Sequence, residues 1–198
     1  MKEMAKALQK EGYLIININY PSTQYQIKKL ADEAIKKALA ACPKDTTIHF
    51  VTHSMGGILV RQFLSSNVIE NMGRVVMLGP PNKGSQVVDK LKSVPGFEFL
   101  NGPASIQLDT SRRSVPNRLG PVNFELGVIA GTHSVNPILS LMMPKPNDGK
   151  VSVESSKVVG MADHIELAVT HSFMMNNKAV INHVIHFLKQ GNFKDTAN

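Results

Sequence analysis

The 198-residue chain has one cysteine, no tryptophan and no long apolar run. Cys42 therefore has no partner for an internal disulfide, and the count excludes a cysteine-rich metal site. No run of about 18 apolar residues is present to cross a membrane, and the first ten residues lack the apolar centre of a signal peptide. As given, the sequence predicts a soluble, cytoplasmic protein without a transmembrane segment.

Cofactor and nucleic-acid signals are equally scarce. The sequence has neither a phosphate-binding loop nor a dinucleotide fingerprint. His183 and His186 are too sparse for a zinc site, so neither a metal nor a cofactor is expected. The net charge is +7, but the basic residues are scattered from Lys2 to Lys194 rather than gathered on one stripe, which gives little reason to expect a nucleic-acid partner.

The composition is that of a folded globular domain, and predicted strands and helices alternate along the chain. Hydrophobic residues make up 42% and charged residues 19%, and the length suits one domain over residues 1–198. Strands alternate with helices along the chain, which predicts an α/β fold whose mainly parallel sheet has helices on both faces. Strands are predicted at 14–18, 47–51, 74–78, 127–130 and 165–169, with helices at 4–11, 27–39, 57–64 and 178–188.

The sharpest chemical signal is a serine between a strand and a helix. Ser54 follows the strand at 47–51, and Gly56 and Gly57 follow it where a tight turn needs small neighbours. Such a turn lifts the hydroxyl above the sheet and places the Met55 amide at a helix N-terminus, where it can stabilise an oxyanion. The alternative is a serine N-cap before an ordinary helix.

The segment His53-Ser54-Met55-Gly56-Gly57 resembles the nucleophile turn of the α/β-hydrolase family, in particular its lipase and esterase branches. The sequence at 80–85 is similar to a loop that many lipases carry after the next strand. Thr52 departs from the family pattern, which has glycine there, and its branched side chain is expected to crowd and loosen the turn. The resemblance implies that the irregular segment at about 81–125 is a cap-like insertion over the site.

The resemblance also implies the order nucleophile, acid, histidine. Asp148 lies in an Asn-Asp-Gly turn that is similar to the acid loop of many lipases, although such turns form without any function. Asp163 is the second choice, and it ranks below Asp148 because it lies too close to the next strand for a comfortable reach. Three further acids fit less well: Asp89, Asp109 and Asp195.

The predicted base is His171, which lies between the last strand and the closing helix. The tripeptide Thr-His-Ser occurs at 52–54, 132–134 and 170–172, so it means little by itself. His133 in the middle copy is expected to line the site without acting in it, and His53 flanks the nucleophile without being the base.

Together these residues predict a serine hydrolase of carboxylic esters that acts on a small ester or lipid through an acyl-enzyme. Acyl transfer and thioester cleavage need the same groups. A catalytically impaired protein that binds acyl ligands or a partner is the alternative from another class. The oligomeric state is not predicted.

One part of the family pattern is missing. Family members begin with strands before the first helix, and the last of these ends in a His-Gly loop that supplies a second oxyanion donor. That strand would lie between those at 14–18 and 47–51, so its loss predicts a gap in the sheet. Either the two strands close together, or an upstream segment is absent, or another molecule supplies a strand. A truncated start is favoured. The prediction of a cytoplasmic location therefore applies only to the sequence as given.

Overall fold

The computed structural model of the chain describes residues 1–194. Four strands and ten α-helices are found within these residues. The strands are β1 (Ile48–His53), β2 (Met72–Leu78), β3 (Leu126–Gly131) and β4 (Asp163–Leu167). The helices are α1 (Lys2–Lys10), α2 (Ile27–Ala40), α3 (Met55–Leu64), α4 (Gln86–Leu91), α5 (Phe97–Asn101), α6 (Pro103–Ile106), α7 (Val115–Arg118), α8 (Pro137–Leu141), α9 (Val153–Ser156) and α10 (Lys178–Gln190). A 3₁₀ turn covers His171–Asn176.

The strands form one parallel sheet in the order β1-β2-β3-β4. Their apolar, β-branched sequences suit strands that are covered on both faces. Alternate side chains of β2 point to opposite sides. Val75 and Met77 join a core with α2 and α3, whereas Val76 and Leu78 join a second core with α1 and α10. The predicted α/β fold with helices on both faces is therefore confirmed.

The predicted strand at 14–18 is wrong. Residues 13–20 carry no regular secondary structure, and among the described residues their backbone joins no ladder. A strand exists only where a neighbour accepts its hydrogen bonds, and a hollow separates this segment from β1. The two segments do not close together.

The irregular segment at 81–125 contains four short helices, α4 to α7. Phe97 packs against the α2–α3 core, whereas Phe99 and Leu100 are exposed. That the segment at 81–125 covers the site as a cap stays a prediction. No helix within residues 1–194 is long and apolar enough to span a membrane.

Candidate active site

Ser54 lies in the turn that joins β1 to α3. Its φ of 54° and ψ of −127° are unusual for a residue with a side chain, and such a conformation costs about 1–3 kcal/mol. Two hydrogen bonds hold the turn: the Ser54 amide donates to the Leu78 carbonyl at 2.9 Å, and the Gly57 amide donates to the Ser54 carbonyl at 3.1 Å. The serine is therefore fixed at the carboxyl end of the sheet.

Gly57 lets α3 approach β2. A Cβ on Gly57 would lie 2.8 Å from Met77 Sδ and 3.3 Å from Pro80 Cβ, whereas a Cβ on Gly56 would make only an ordinary 3.4 Å contact with Thr52 Cβ. Thr52 buries its hydroxyl without a hydrogen-bond partner among residues 1–194. The turn nevertheless closes, so the crowding expected from Thr52 does not open it.

Asp148 and His171 form a buried pair. Asp148 Oδ2 lies 2.7 Å from His171 Nδ1, and the two residues are only 2% and 4% exposed. Asp148 Oδ1 accepts the Lys150 and Val151 amides at 2.9 and 2.8 Å. Because a carboxylate can only accept, the proton of neutral His171 sits on Nδ1 and leaves Nε2 as the acceptor.

The pair lies at the same edge of the sheet as Ser54. Gly79 directly follows the residue whose carbonyl anchors Ser54, and a Cβ on Gly79 would lie 2.9 Å from Asp148 Oδ2 and 3.1 Å from His171 Nδ1. Ser54 and the Asp148–His171 pair thus lie around the same carboxyl ends of β1 and β2. The sequence indicated only that Gly79 ends a strand. It did not indicate that Gly79 lies against Asp148 and His171.

His53 supports His171 from the other side. His53 Nε2 donates to the His171 carbonyl at 2.9 Å, and the two rings lie 4.6 Å apart. Burial, with the nearby His171, lowers the pKa of His53 to about 4. His53 is therefore neutral near pH 7 and can carry the Nε2 proton that this bond needs. Its place before the serine was visible in the sequence, but its contact with His171 was not.

The other candidate acids have different partners. Both oxygens of Asp163 accept backbone amides, from His164 and from Phe193 at the far end of the sheet. Asp89 accepts the amide and hydroxyl of Thr110, and Asp109 pairs with Lys92. Asp195 lies outside the described residues. Among the acids in residues 1–194, only Asp148 is hydrogen-bonded to His171.

Two other histidines considered in the sequence, His183 and His133, have different neighbours. His183 in α10 stacks edge-on against Phe193. His133 lines a hollow of about 610 Å³ next to the Asp148 loop, which we call the loop hollow; it is lined by Thr132, His133, Ser134, Pro137, Ser140, Leu141, Lys145, Pro146 and Asn147. Within residues 1–194 no three His, Cys, Asp or Glu side chains are grouped so that they could hold a metal ion.

No protein-family profile and no curated protein matches the sequence. Solved structures do. The mature form of the Bacillus licheniformis lipase BlEst2 has a TM-score of 0.65 at 18% identity, over 93% of this chain and 80% of the lipase. The metagenomic carboxyl esterase MGS0156 has a TM-score of 0.68 at 19% identity, over 86% of this chain and 58% of the esterase. An esterase of Pyrococcus furiosus has a TM-score of 0.56 at 18% identity, over 96% of this chain and 74% of the esterase.

These likenesses confirm the predicted α/β-hydrolase-like fold. The identities are too low to carry more than the fold. The chain is smaller than these proteins, and it spans about half of BlEst2 in its propeptide form, 48%.

Proposed function

We propose that this protein is a serine hydrolase of carboxylic esters in which Ser54 is the nucleophile, His171 the base and Asp148 the acid. The observation that carries the proposal is the buried Asp148–His171 hydrogen bond beside a serine held at positive φ. A carboxylate-oriented imidazole next to a serine on a strand-to-helix turn is the arrangement that activates a hydroxyl for attack.

In the proposed reaction His171 Nε2 takes the proton of Ser54 Oγ while Oγ attacks the carbonyl carbon of the ester. The tetrahedral intermediate then expels the alcohol, which receives that proton from His171, and the acyl group stays on Ser54. Water attacks the acyl-enzyme with His171 again as base, and the carboxylic acid leaves. Asp148 holds the Nδ1 tautomer and stabilises the imidazolium.

The Met55 amide is the proposed donor to the oxyanion. It is the first amide of α3, and the first amides of a helix have no partner within it. The ten-residue helix α3 adds the positive end of its dipole. Negative charge that develops on the carbonyl oxygen beside Ser54 is therefore stabilised.

Esters are the proposed substrates because the fold neighbours include proteins named lipases and esterases. The segment that forms the loop hollow also offers apolar surface: Leu141 lines the hollow, and Val135, Ile138 and Leu141 are 68–74% exposed. We propose that this surface contacts the acyl chain.

The test is hydrolysis of p-nitrophenyl butyrate by the wild type, Ser54→Ala and the control Ser65→Ala. Ser65 is an exposed serine at the end of α3. We expect Ser54→Ala to lose at least about 10³-fold in kcat/KM, and Ser65→Ala to keep wild-type activity. A folded wild type without hydrolysis contradicts the proposal and favours a protein that binds acyl ligands or a partner without turnover.

A further inference from the structure

Ser85 is the N-cap residue of α4, yet its hydroxyl does not cap that helix. A serine at this place ordinarily accepts an amide of its own helix. The Ser85 hydroxyl instead donates to the Lys150 carbonyl at 2.9 Å, 65 positions along the chain. Ser85 is only 6% exposed, so this bond is largely shielded from water. The hydroxyl therefore serves the loop that carries Asp148 rather than α4.

The peptide group between Lys150 and Val151 joins this hydroxyl to Asp148. Its oxygen accepts the Ser85 hydroxyl, and its N–H donates to Asp148 Oδ1 at 2.8 Å. The other oxygen of that carboxylate accepts the Nδ1 proton of His171 at 2.7 Å. A hydrogen bond to a peptide oxygen orients the peptide group and polarises its N–H, because linked hydrogen bonds strengthen one another. One continuous chain of hydrogen bonds thus runs from Ser85 to the imidazole.

Two hydrogen bonds from other parts of the described chain reach the backbone of residues 147–151, which we call the acid turn. One is from the His171 amide to the Asp148 carbonyl at 3.0 Å, and the other is from Ser85. The remaining hydrogen bonds of this backbone stay within residues 140–153. His171 is the group that the turn has to orient, so it cannot also be the reference for the turn. Ser85 supplies the independent contact.

The loop that carries Ser85 is anchored on the side of Ser54. Asn82 in this loop is 1% exposed, and its carbonyl and side-chain oxygens accept the Arg61 guanidinium at 3.0 and 3.1 Å. Arg61 belongs to α3, which begins directly after Ser54. The Ser85 amide donates to the Leu108 carbonyl at 2.8 Å. Ser85 therefore ties the acid turn to a loop that is itself fixed to α3.

We infer that Ser85 is a positioning residue: its hydroxyl holds the acid turn so that Asp148 is presented to His171. This inference rests on the proposed function, in which Asp148 orients the base. Ser85 acts through the acid turn and has no contact with the reacting atoms in the proposed reaction. Without the hydroxyl the carboxylate is less well directed, and a misplacement of about 1 Å in a catalytic group costs up to about 10² in rate.

Hydrolysis of p-nitrophenyl butyrate compares Ser85→Ala, Ser85→Thr and the control Ser156→Ala with the wild type. Ser156 is 1% exposed, and its hydroxyl also donates to a backbone carbonyl, that of Val153 in α9, at 2.7 Å. We expect Ser85→Ala to lower kcat at least about tenfold with KM within about twofold of wild type. Ser85→Thr keeps a hydroxyl and should restore kcat to within about threefold.

Ser156→Ala should keep kcat within about twofold of wild type. Its midpoint of urea denaturation should fall by a similar amount to that of Ser85→Ala, because each variant leaves one buried carbonyl without its hydroxyl donor. The two serines thus differ in whether the carbonyl belongs to the acid turn. Equal losses of kcat in Ser85→Ala and Ser156→Ala would overturn the inference.

A second readout does not depend on turnover. The Nδ1 proton of His171 is buried against Asp148 and should give a far-downfield proton NMR signal, which is assigned by its absence in His171→Ala protein. We expect Ser85→Ala to shift or broaden this signal and Ser156→Ala to leave it unchanged. A merely structural role of Ser85 would lower stability without moving the signal.

An unchanged signal in Ser85→Ala would overturn the inference whatever the value of kcat, because the hydroxyl would then not act through Asp148. A changed signal with wild-type kcat would overturn it as well. If the wild type does not hydrolyse esters, the proposed function fails, and the NMR comparison alone decides whether Ser85 holds the Asp148–His171 bond. If Ser85→Ala does not fold, Ser85→Cys takes its place, since a thiol of similar size is only a weak donor.

Discussion

Asp148 uses its two carboxylate oxygens for different partners, one for backbone amides of its own turn and one for His171. Asparagine can keep the turn but cannot hold the same imidazole tautomer. We expect Asp148→Asn to lower kcat by roughly 10³ to 10⁴ with little change in KM. Asp163→Asn should leave kcat near wild type, because that carboxylate binds amides at the other end of β4. Steady-state kinetics of the two variants measure this difference. A large loss of kcat in Asp163→Asn with a nearly unchanged kcat in Asp148→Asn would instead make Asp163 the acid.

His53 gives the protein a pH-dependent stability that can be measured. Its pKa is about 4 in the folded protein and about 6.5 in an unfolded chain. Below pH 6.5 the unfolded state therefore binds more protons, so stability falls as the pH decreases toward 4. His53→Gln keeps a donor toward the His171 carbonyl but does not titrate. Urea denaturation should show the variant losing about 2–3 kcal/mol less than the wild type between pH 7.5 and about 4.5. Equal losses would contradict this assignment.

Glycine is required at position 79 both by the backbone conformation and by the side chains packed against it. Its φ is +53°, and a Cβ there would meet Asp148 and His171. Gly12 is a matched control, since its φ is +88° but nothing lies within 4 Å of a Cβ. We expect Gly12→Ala to cost about 1 kcal/mol of unfolding free energy without loss of activity. Gly79→Ala should cost more and lower kcat at least about tenfold, as measured by thermal melts and hydrolysis. An active Gly79→Ala would mean that the pair is less closely packed than described.

At the scale of elements, Arg61 ties α3 to the loop after β2 and to α7 with the residues that follow it. Its guanidinium donates to the backbone and side-chain oxygens of Asn82 and to the carbonyls of Pro116 and Gly120. The residue is 4% exposed, and burial lowers its pKa to about 10. Arg61 thus fixes the helix that begins directly after Ser54.

Arg61→Met keeps an apolar stem but leaves these oxygens unpaired. We expect a loss of about 3 kcal/mol in the free energy of unfolding, measured by urea denaturation. Arg112→Met is the control because Arg112 is exposed in the same irregular segment, and it should change stability by less than about 0.5 kcal/mol. Equal effects of the two substitutions would mean that the Arg61 contacts contribute little.

Most elements could be predicted from local pattern. The β-branched runs before Ser54 and before Gly79 became β1 and β2, and the apolar stripe from Ile27 became α2. The run at 14–18 has an equally strong strand pattern but forms no strand. Strand formation depends on a neighbour, and a local pattern carries no information on whether that neighbour is present.

At the scale of the whole molecule, the candidate site lies at the carboxyl ends of two neighbouring strands, β1 and β2. The carboxyl ends of β1 and β2 bring together groups that are 117 positions apart between Ser54 and His171. The order nucleophile, acid, histidine that the family resemblance implies predicted these residues, and each lies in a connection that follows a strand of one parallel sheet. The contacts of Gly79 and His53 could not be predicted, since they depend on how closely separate loops approach.

The same view explains the partial burial of β1. Two cores cover both faces of the sheet, and a hollow of about 640 Å³ lies along its β1 edge, between β1 and residues 13–18.

The most direct test of the central claim is labelling with a fluorophosphonate probe, followed by peptide mass mapping. Such a probe reacts with a serine only where a neighbouring base has activated it. We predict one adduct, located on Ser54, that is absent in Ser54→Ala and forms much more slowly in His171→Ala. Folded wild-type protein that takes no label, or Ser54→Ala protein that labels as well as the wild type, would contradict the account.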